Sequence, residues 1–145
     1  MVRNTAREIA IHLSYELSFT DKAVEDLLSE RLTAETFATL AGEDEIYQEA
    51  PNAKQADYIR RLVKGVEEHA AELDGYIAKY AKGWSFARIP LVASAIMRVA
   101  MYEILYMPDV DRSHHAPKKL NFYFSNNPAA CDAPWIWNGL EFVFH

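Results

Sequence analysis

Cysteine, glycine and a surplus of positive charge are what this chain has least of. Cys131 is the sole cysteine, so no disulfide can close within the chain. Its neighbours Ala130 and Asp132 offer its thiol no cation or base, which reads as an inert thiol. With five glycines and neither a Walker loop nor a G-x-G-x-x-G turn, phosphate cradling by backbone amides is not expected. The zinc spacings C-x-x-C and H-E-x-x-H are missing as well. His114 and His115 could in principle ligate a metal, but adjacent residues rarely point the same way and no carboxylate or thiol partner is spaced near them, so they read as a solvated loop and no metal site is expected. Fifteen basic residues against twenty-one acidic ones leave a formal charge of −6, which excludes a global attraction to nucleic acid or an anionic membrane. Any nucleic-acid contact must therefore be local.

Carboxylates are plentiful, but Glu43, Asp44, Glu45, Glu67, Glu68 and Glu72 read as solvated faces and loops, and no acid–base pair stands apart. Neither an enzyme nor a cofactor is expected. The opening Met1-Val2-Arg3-Asn4-Thr5 lacks the charged-then-apolar pattern of a secretion signal, so a cytoplasmic location is expected.

What is present is helical periodicity in a chain of 145 residues, enough for a single domain spanning 1–145 with a sizeable core. Thr5-Ala6-Arg7-Glu8 has the form of a capping box, which predicts a helix start at Thr5. Behind it Ala6, Ile9, Ala10, Leu13 and Leu17 follow one apolar face. Thr20-Asp21 offers a second cap, ahead of a stripe of Val24, Leu27, Leu28 and Leu32. The end of that helix is left open, because Thr33 to Leu40 keeps helix formers without a clean face. After an acidic loop, Asn52 and Gln55 repeat the capping logic, and Ile59, Leu62, Val63, Val66 and Ala70 give the most regular amphipathic pattern so far. A break is expected near His69, then a second face of Leu73, Tyr76, Ile77 and Tyr80 that ends at Gly83.

From Trp84 to Met107 the chain reads W-S-F-A-R-I-P-L-V-A-S-A-I-M-R-V-A-M-Y-E-I-L-Y-M. From Leu91 onward only Ser94, Arg98 and Glu103 interrupt the apolar run, so the helix should be buried all round. A membrane span is the competing reading. It loses, because Arg98 and Glu103 would each cost about 2.5–3.5 kcal/mol near the bilayer centre, and Pro90 stands at the start. Arg98 and Glu103 are five apart and do not share a ridge, so each is expected to pair elsewhere, the arginine with helix-end carbonyls or a carboxylate across the bundle.

Beyond Pro108 the periodicity is lost among Pro117, Pro128, Pro134, Asn126-Asn127 and the aromatic run Phe122-Tyr123-Phe124. Leu120 to Ser125 fits a helical turn or a short strand equally well, and Trp135 to Phe144 could pack back as a last short helix.

Three stretches resemble the NusB family of transcription antitermination factors. Ala6-Arg7-Glu8 with Ala10 and Tyr15 is similar to the family's opening A-R-E-x-A helix. Leu62-Val63-Lys64-Gly65-Val66, followed by Leu73-Asp74-Gly75-Tyr76-Ile77, is similar to its L-x-x-G-V and L-D-x-x-I pattern. Most specific are Arg88-Ile89-Pro90 and the run Ala95-Ile96-Met97-Arg98-Val99-Ala100-Met101-Tyr102-Glu103, similar to its R-I-P, I-L-R-x-A and Y-E signature. The likeness covers residues 3 to 110 and resumes at Ile136-Trp137-Asn138-Gly139-Leu140. Between them the chain departs: Ala116-Pro117-Lys118-Lys119-Leu120-Asn121-Phe122-Tyr123-Phe124 stands where the family carries an I-N-E-A-V-E-L-A-K helix.

The resemblance implies an all-α fold of about seven helices in two small bundles that share the long central helix. The N-terminal sub-bundle would span about 1–50 and the C-terminal one about 51–145. It also implies a non-enzymatic factor that binds boxA-type leader RNA together with the ribosomal protein NusE in the transcription elongation complex. Oligomeric state, a homodimer included, is left open. Carried over by position, the RNA-facing residues are Arg3, Arg7 and Tyr15, and Lys118 and Lys119 form a small basic cluster that would extend their surface. Two other roles fit the same fold: a helical protein-binding adaptor without RNA binding, and an accessory domain acting beside an RNA-modifying enzyme.

Overall fold

Buried apolar stripes mark most of the helices in the computed structural model, which describes residues 1–80 and 90–107. All regular structure among the described residues is helical, with six α-helices and one 3₁₀ turn, so the fold is all-α as expected. The stretches Leu120–Ser125 and Trp135–Phe144, the stop at Gly83 and the Trp84–Ile89 part of the signature lie outside the described residues. The chain divides into two compact units, Met1–Glu68 and His69–His145.

In the first unit, α1 runs Arg3–Leu17, two residues ahead of the expected start at Thr5. Val2 is its N-cap with extended backbone and no side-chain cap, and the Ala6 amide donates to the Val2 carbonyl at 3.1 Å. Thr5 therefore falls inside the first turn. The cause is tertiary: the Gln55 side-chain amide donates to the Met1 carbonyl at 2.7 Å and Arg3 lies over the Tyr58 ring, and together they fix the chain ahead of the local capping sequence. Ala6, Ile9, Ala10 and Leu13 are buried as the spacing requires, while Leu17 at the end is half-buried.

Helix α2, Val24–Arg31, starts after Ala23 and not at Thr20, whose hydroxyl instead accepts from the Lys22 amide at 3.2 Å. Leu27 and Leu28 are its buried pair. Arg31 forks onto Glu16 of α1, with Nε at 3.0 Å and Nη2 at 2.5 Å from Oε1, and so ties the two helices together. The open question after Leu32 resolves as a separate short helix, α3, Ala34–Leu40. Thr33 caps it by accepting from the Thr36 amide at 3.1 Å, and Phe37 is its one buried side chain. Asp44 then caps the 3₁₀ turn Glu45–Tyr47, where Ile46 is buried and Tyr47 meets Phe37 edge-on at 5.3 Å.

Helix α4, Ala53–Glu68, begins with the expected capping box. The Gln55 amide donates to Asn52 Oδ1 and the Asn52 amide to Gln55 Oε1, both at 2.9 Å. Ile59, Leu62 and Val63 lose all solvent exposure, each such burial contributing about 1.5–3 kcal/mol. This face packs mainly on α1 and also on α2. Helix α4 thus belongs to the same compact unit as α1 and α2, which its apolar stripe covers.

The second unit begins at the expected break, and α5, Ala70–Tyr80, buries Leu73 and Ile77 with Tyr76 half-buried. Helix α6, Leu91–Tyr106, starts after Pro90, whose carbonyl accepts from the Ser94 amide at 3.0 Å. From Ala93 to Met97 every residue is buried, but Leu91 and Leu105 near the ends are 46% and 49% exposed. The all-round burial predicted for this helix thus holds only in its middle. Arg98 has the expected carboxylate partner on the neighbouring helix: its Nε and Nη2 donate to the two oxygens of Asp74 at 2.5 and 2.9 Å. Glu103 is fully buried. At about 1.5 Å per residue α6 is some 24 Å long, short of a bilayer core of about 30 Å. No helix among the described residues is long and apolar enough to cross a membrane.

Candidate nucleic-acid interface

The start of α1 and the start of α4 lie together, joined by the Gln55–Met1 hydrogen bond. At that end Arg3 is exposed, and its guanidinium carbon sits 5.2 Å from the centroid of the Tyr58 ring. A guanidinium laid on a ring face gains from the ring quadrupole and keeps its outer face and N–H edges open to an anion or a base.

Arg7, one turn further on, is placed otherwise. It is 2% exposed, and its Nη1 donates to Asn4 Oδ1 at 2.6 Å. Its burial follows from the breadth of the buried face of α1: Arg7, Ile11 and Ser14, spaced i, i+4 and i+7, are buried beside the Ala6–Ile9–Leu13 stripe. A stripe this wide leaves position 7 facing inward. Arg7 was placed beside Arg3 by family position, and the apolar stripe read from the sequence did not include Ile11 and Ser14.

Tyr15 is half-buried and meets Phe19 edge-on at 4.9 Å, with Phe19 itself 63% exposed. Twelve residues separate it from Arg3, about 18 Å along the helix. The structure therefore does not gather Arg3, Arg7 and Tyr15 into one exposed cluster. It gives a cation–aromatic pair at the start of α1, an aromatic pair at its end, and a buried arginine between. Lys118 and Lys119 lie outside the described residues. Among the described residues no group of three or more His, Cys, Asp or Glu side chains is placed to hold a metal ion.

Beside the Arg3–Tyr58 pair, α4 carries residues the sequence reading passed over. Lys54, Tyr58 and Arg61, at i, i+4 and i+7, share one side of that helix, with both cations exposed and Tyr58 half-buried. Asp57 borders this stripe and holds Arg60 at 3.5 Å, while Lys64 is taken up by Glu25 of α2. The sequence signal was an aromatic flanked by basic residues on the polar edge of an amphipathic helix.

The family model described as the NusB family matches residues 4–114. A transcription antitermination protein NusB of Carboxydothermus hydrogenoformans is 40% identical over 111 residues, covering 77% of this chain and 71% of the relative. One from Symbiobacterium thermophilum is 35% identical over 113 residues, covering 78% and 70%. One from Salinispora arenicola is 31% identical over 141 residues and covers 95% and 90%. No solved structure matches the chain.

Proposed function

The chain belongs to the NusB family of transcription antitermination proteins, which are not enzymes, and from that membership we propose that it binds boxA-type leader RNA together with NusE. In this reading it is a cytoplasmic factor that acts within the transcription elongation complex. The observation that carries the RNA half of the proposal is the exposed Arg3 guanidinium held on Tyr58 at the paired starts of α1 and α4. Arginine edges suit phosphates and base edges, and unpaired bases stack on aromatic or guanidinium planes. Tyr15 and Phe19 supply a second aromatic pair farther along the same helix. Arg7 acts from beneath, by setting the first turn of α1 through Asn4.

Charge shapes the mechanism. On a chain of net charge −6 a few exposed cations give weak affinity for RNA alone, so the partner protein must add contacts or order the strand. The two ligands then bind cooperatively, each raising the apparent affinity for the other by the same factor.

Fluorescence anisotropy of a labelled boxA RNA, titrated with the protein in the presence and absence of NusE, tests the proposal. Tighter binding with NusE, and weaker binding of a scrambled RNA, are expected. Absence of RNA binding in both titrations would refute it, and salt-independent binding of NusE with no response to RNA would instead mark a protein adaptor.

A further inference from the structure

We propose that His12 of α1 and Tyr47 of the 3₁₀ turn form a pH-sensitive latch, which holds the turn and α3 against α1 while His12 is neutral and releases them when it takes up a proton. The latch is independent of the RNA reading.

The fold brings these side chains together from 35 residues apart, with His12 Nδ1 at 3.1 Å from the Tyr47 hydroxyl. Their rings are tilted by 56°, with centroids 6.1 Å apart. Tyr47 in turn meets Phe37 of α3 edge-on at 5.3 Å, and Ile46 beside it is buried. A hydrogen bond at Tyr47 therefore fastens both the turn and α3 to α1.

Acid–base chemistry sets which group donates. Burial, with Asp44 and Glu16 adding to it, pushes the Tyr47 phenol up to about 12, so at neutral pH it keeps its proton and donates. His12 Nδ1 must then accept, which requires a neutral ring with its proton on Nε2. A protonated ring carries hydrogens on both nitrogens and meets the phenol donor to donor. The contact then survives only if the phenol turns its hydrogen away.

The surroundings favour release over that rearrangement. His12 is open to solvent and exchanges protons with it. Protein packed around the ring disfavours the charged form more than Asp44 favours it, so the pKa lies below the usual histidine value. On the same helix Glu8 and Glu16 stand one turn to either side, and Arg31 of α2 holds Glu16 and offsets its charge. From the turn, Tyr47 and Asp44 face the ring, and Asp44 is committed to capping, accepting from the Ile46 amide at 3.1 Å. An imidazolium therefore gains by swinging into water. The contribution of the latch is complete above the ordinary histidine pKa of about 6.5 and is lost as pH falls below it through the depressed folded value. What opens is local, since α1 stays packed on α4.

NMR on the full chain tests the latch in two ways. The His12 ring proton, assigned by its loss in His12→Gln, should titrate below about 6.5, and Tyr47→Phe, which keeps the ring against Phe37, should move that midpoint up. Hydrogen-exchange protection of the Phe37 and Tyr47 amides should fall between about pH 7.5 and about pH 5.5 in the wild type, while that of Leu62 in α4 holds. In His12→Gln the protection of Phe37 and Tyr47 should be the same at both. A His12 midpoint that Tyr47→Phe leaves unmoved, or wild-type protection of Phe37 and Tyr47 that ignores pH, would overturn the proposal. An equal loss in acid by His12→Gln would assign the effect to another group and overturn it as well.

Discussion

Arg7→Ala removes a guanidinium that is 2% exposed and whose Nη1 sits 2.6 Å from Asn4 Oδ1. The substitution has three costs: the hydrogen bonds of a buried cation, the partner groups left without it, and a cavity the size of its aliphatic stem. A hydrogen bond to a charged group contributes about 1.5–3 kcal/mol. In a chain of this length each kcal/mol shifts the midpoint by about 2–4 °C, so Arg7→Ala should melt roughly 3–12 °C below the wild type. Arg3→Ala is the matched control. It gives up an exposed cation–aromatic contact of about 0.5–1 kcal/mol and should melt within a few degrees of the wild type. The assay is differential scanning calorimetry of both variants, paired with boxA RNA binding at a temperature where all three proteins are folded. An Arg7→Ala protein that melts with the wild type yet loses RNA binding would refute the reasoning, because it would put this guanidinium on the ligand surface and not beneath it.

The Arg98–Asp74 fork, with side chains 18% and 28% exposed, should be worth about 2 kcal/mol as a pair of charge-assisted hydrogen bonds. Asp74→Asn and Arg98→Met should each be destabilised in urea melts while the double variant recovers part of the sum, and strict additivity would show that the two side chains do not interact. Burial, with Asp44 adding to it, pushes the Tyr47 phenol up to about 12. The folded state therefore keeps its proton above pH 10 where the unfolded state releases it, so this contribution is intact below pH 10 and lost as pH rises from 10 to 12. Wild-type stability should fall more steeply than that of Tyr47→Phe between about pH 10 and pH 12, and parallel curves would show that Tyr47 is not the group involved.

Where local sequence and tertiary contact agree, the sequence alone places the element. Helix α4 is the clearest case: the Asn52–Gln55 box sets its start and Ile59, Leu62, Val63 and Val66 its buried side, and both signals lie within the helix itself. The Arg98 partner was legible for a similar reason, since a guanidinium inside an apolar run must find an acceptor. Local reading fails where a distant residue decides. Thr5 and Glu8 have the composition of a cap, but Gln55 and Tyr58 fix the chain two residues earlier. Helix α3 is too short for periodicity to show, and a single buried Phe37 with the Thr33 cap defines it. At the candidate interface Arg3 was legible as an exposed cation, whereas Tyr58 was not legible as its seat, because the two are brought together only when α1 packs on α4. Arg7 shows the converse. Family position placed it beside Arg3, and the width of the buried face turned it inward.

Photo-crosslinking of a 4-thiouridine-substituted boxA RNA to the protein in the presence of NusE, read out by peptide mass spectrometry, tests most directly whether RNA binds where α1 and α4 begin. Crosslinks concentrated on the peptides that carry Arg3 and Tyr58, and abolished by excess unlabelled boxA RNA, are the expected result. Competable crosslinks that avoid both peptides would contradict the account.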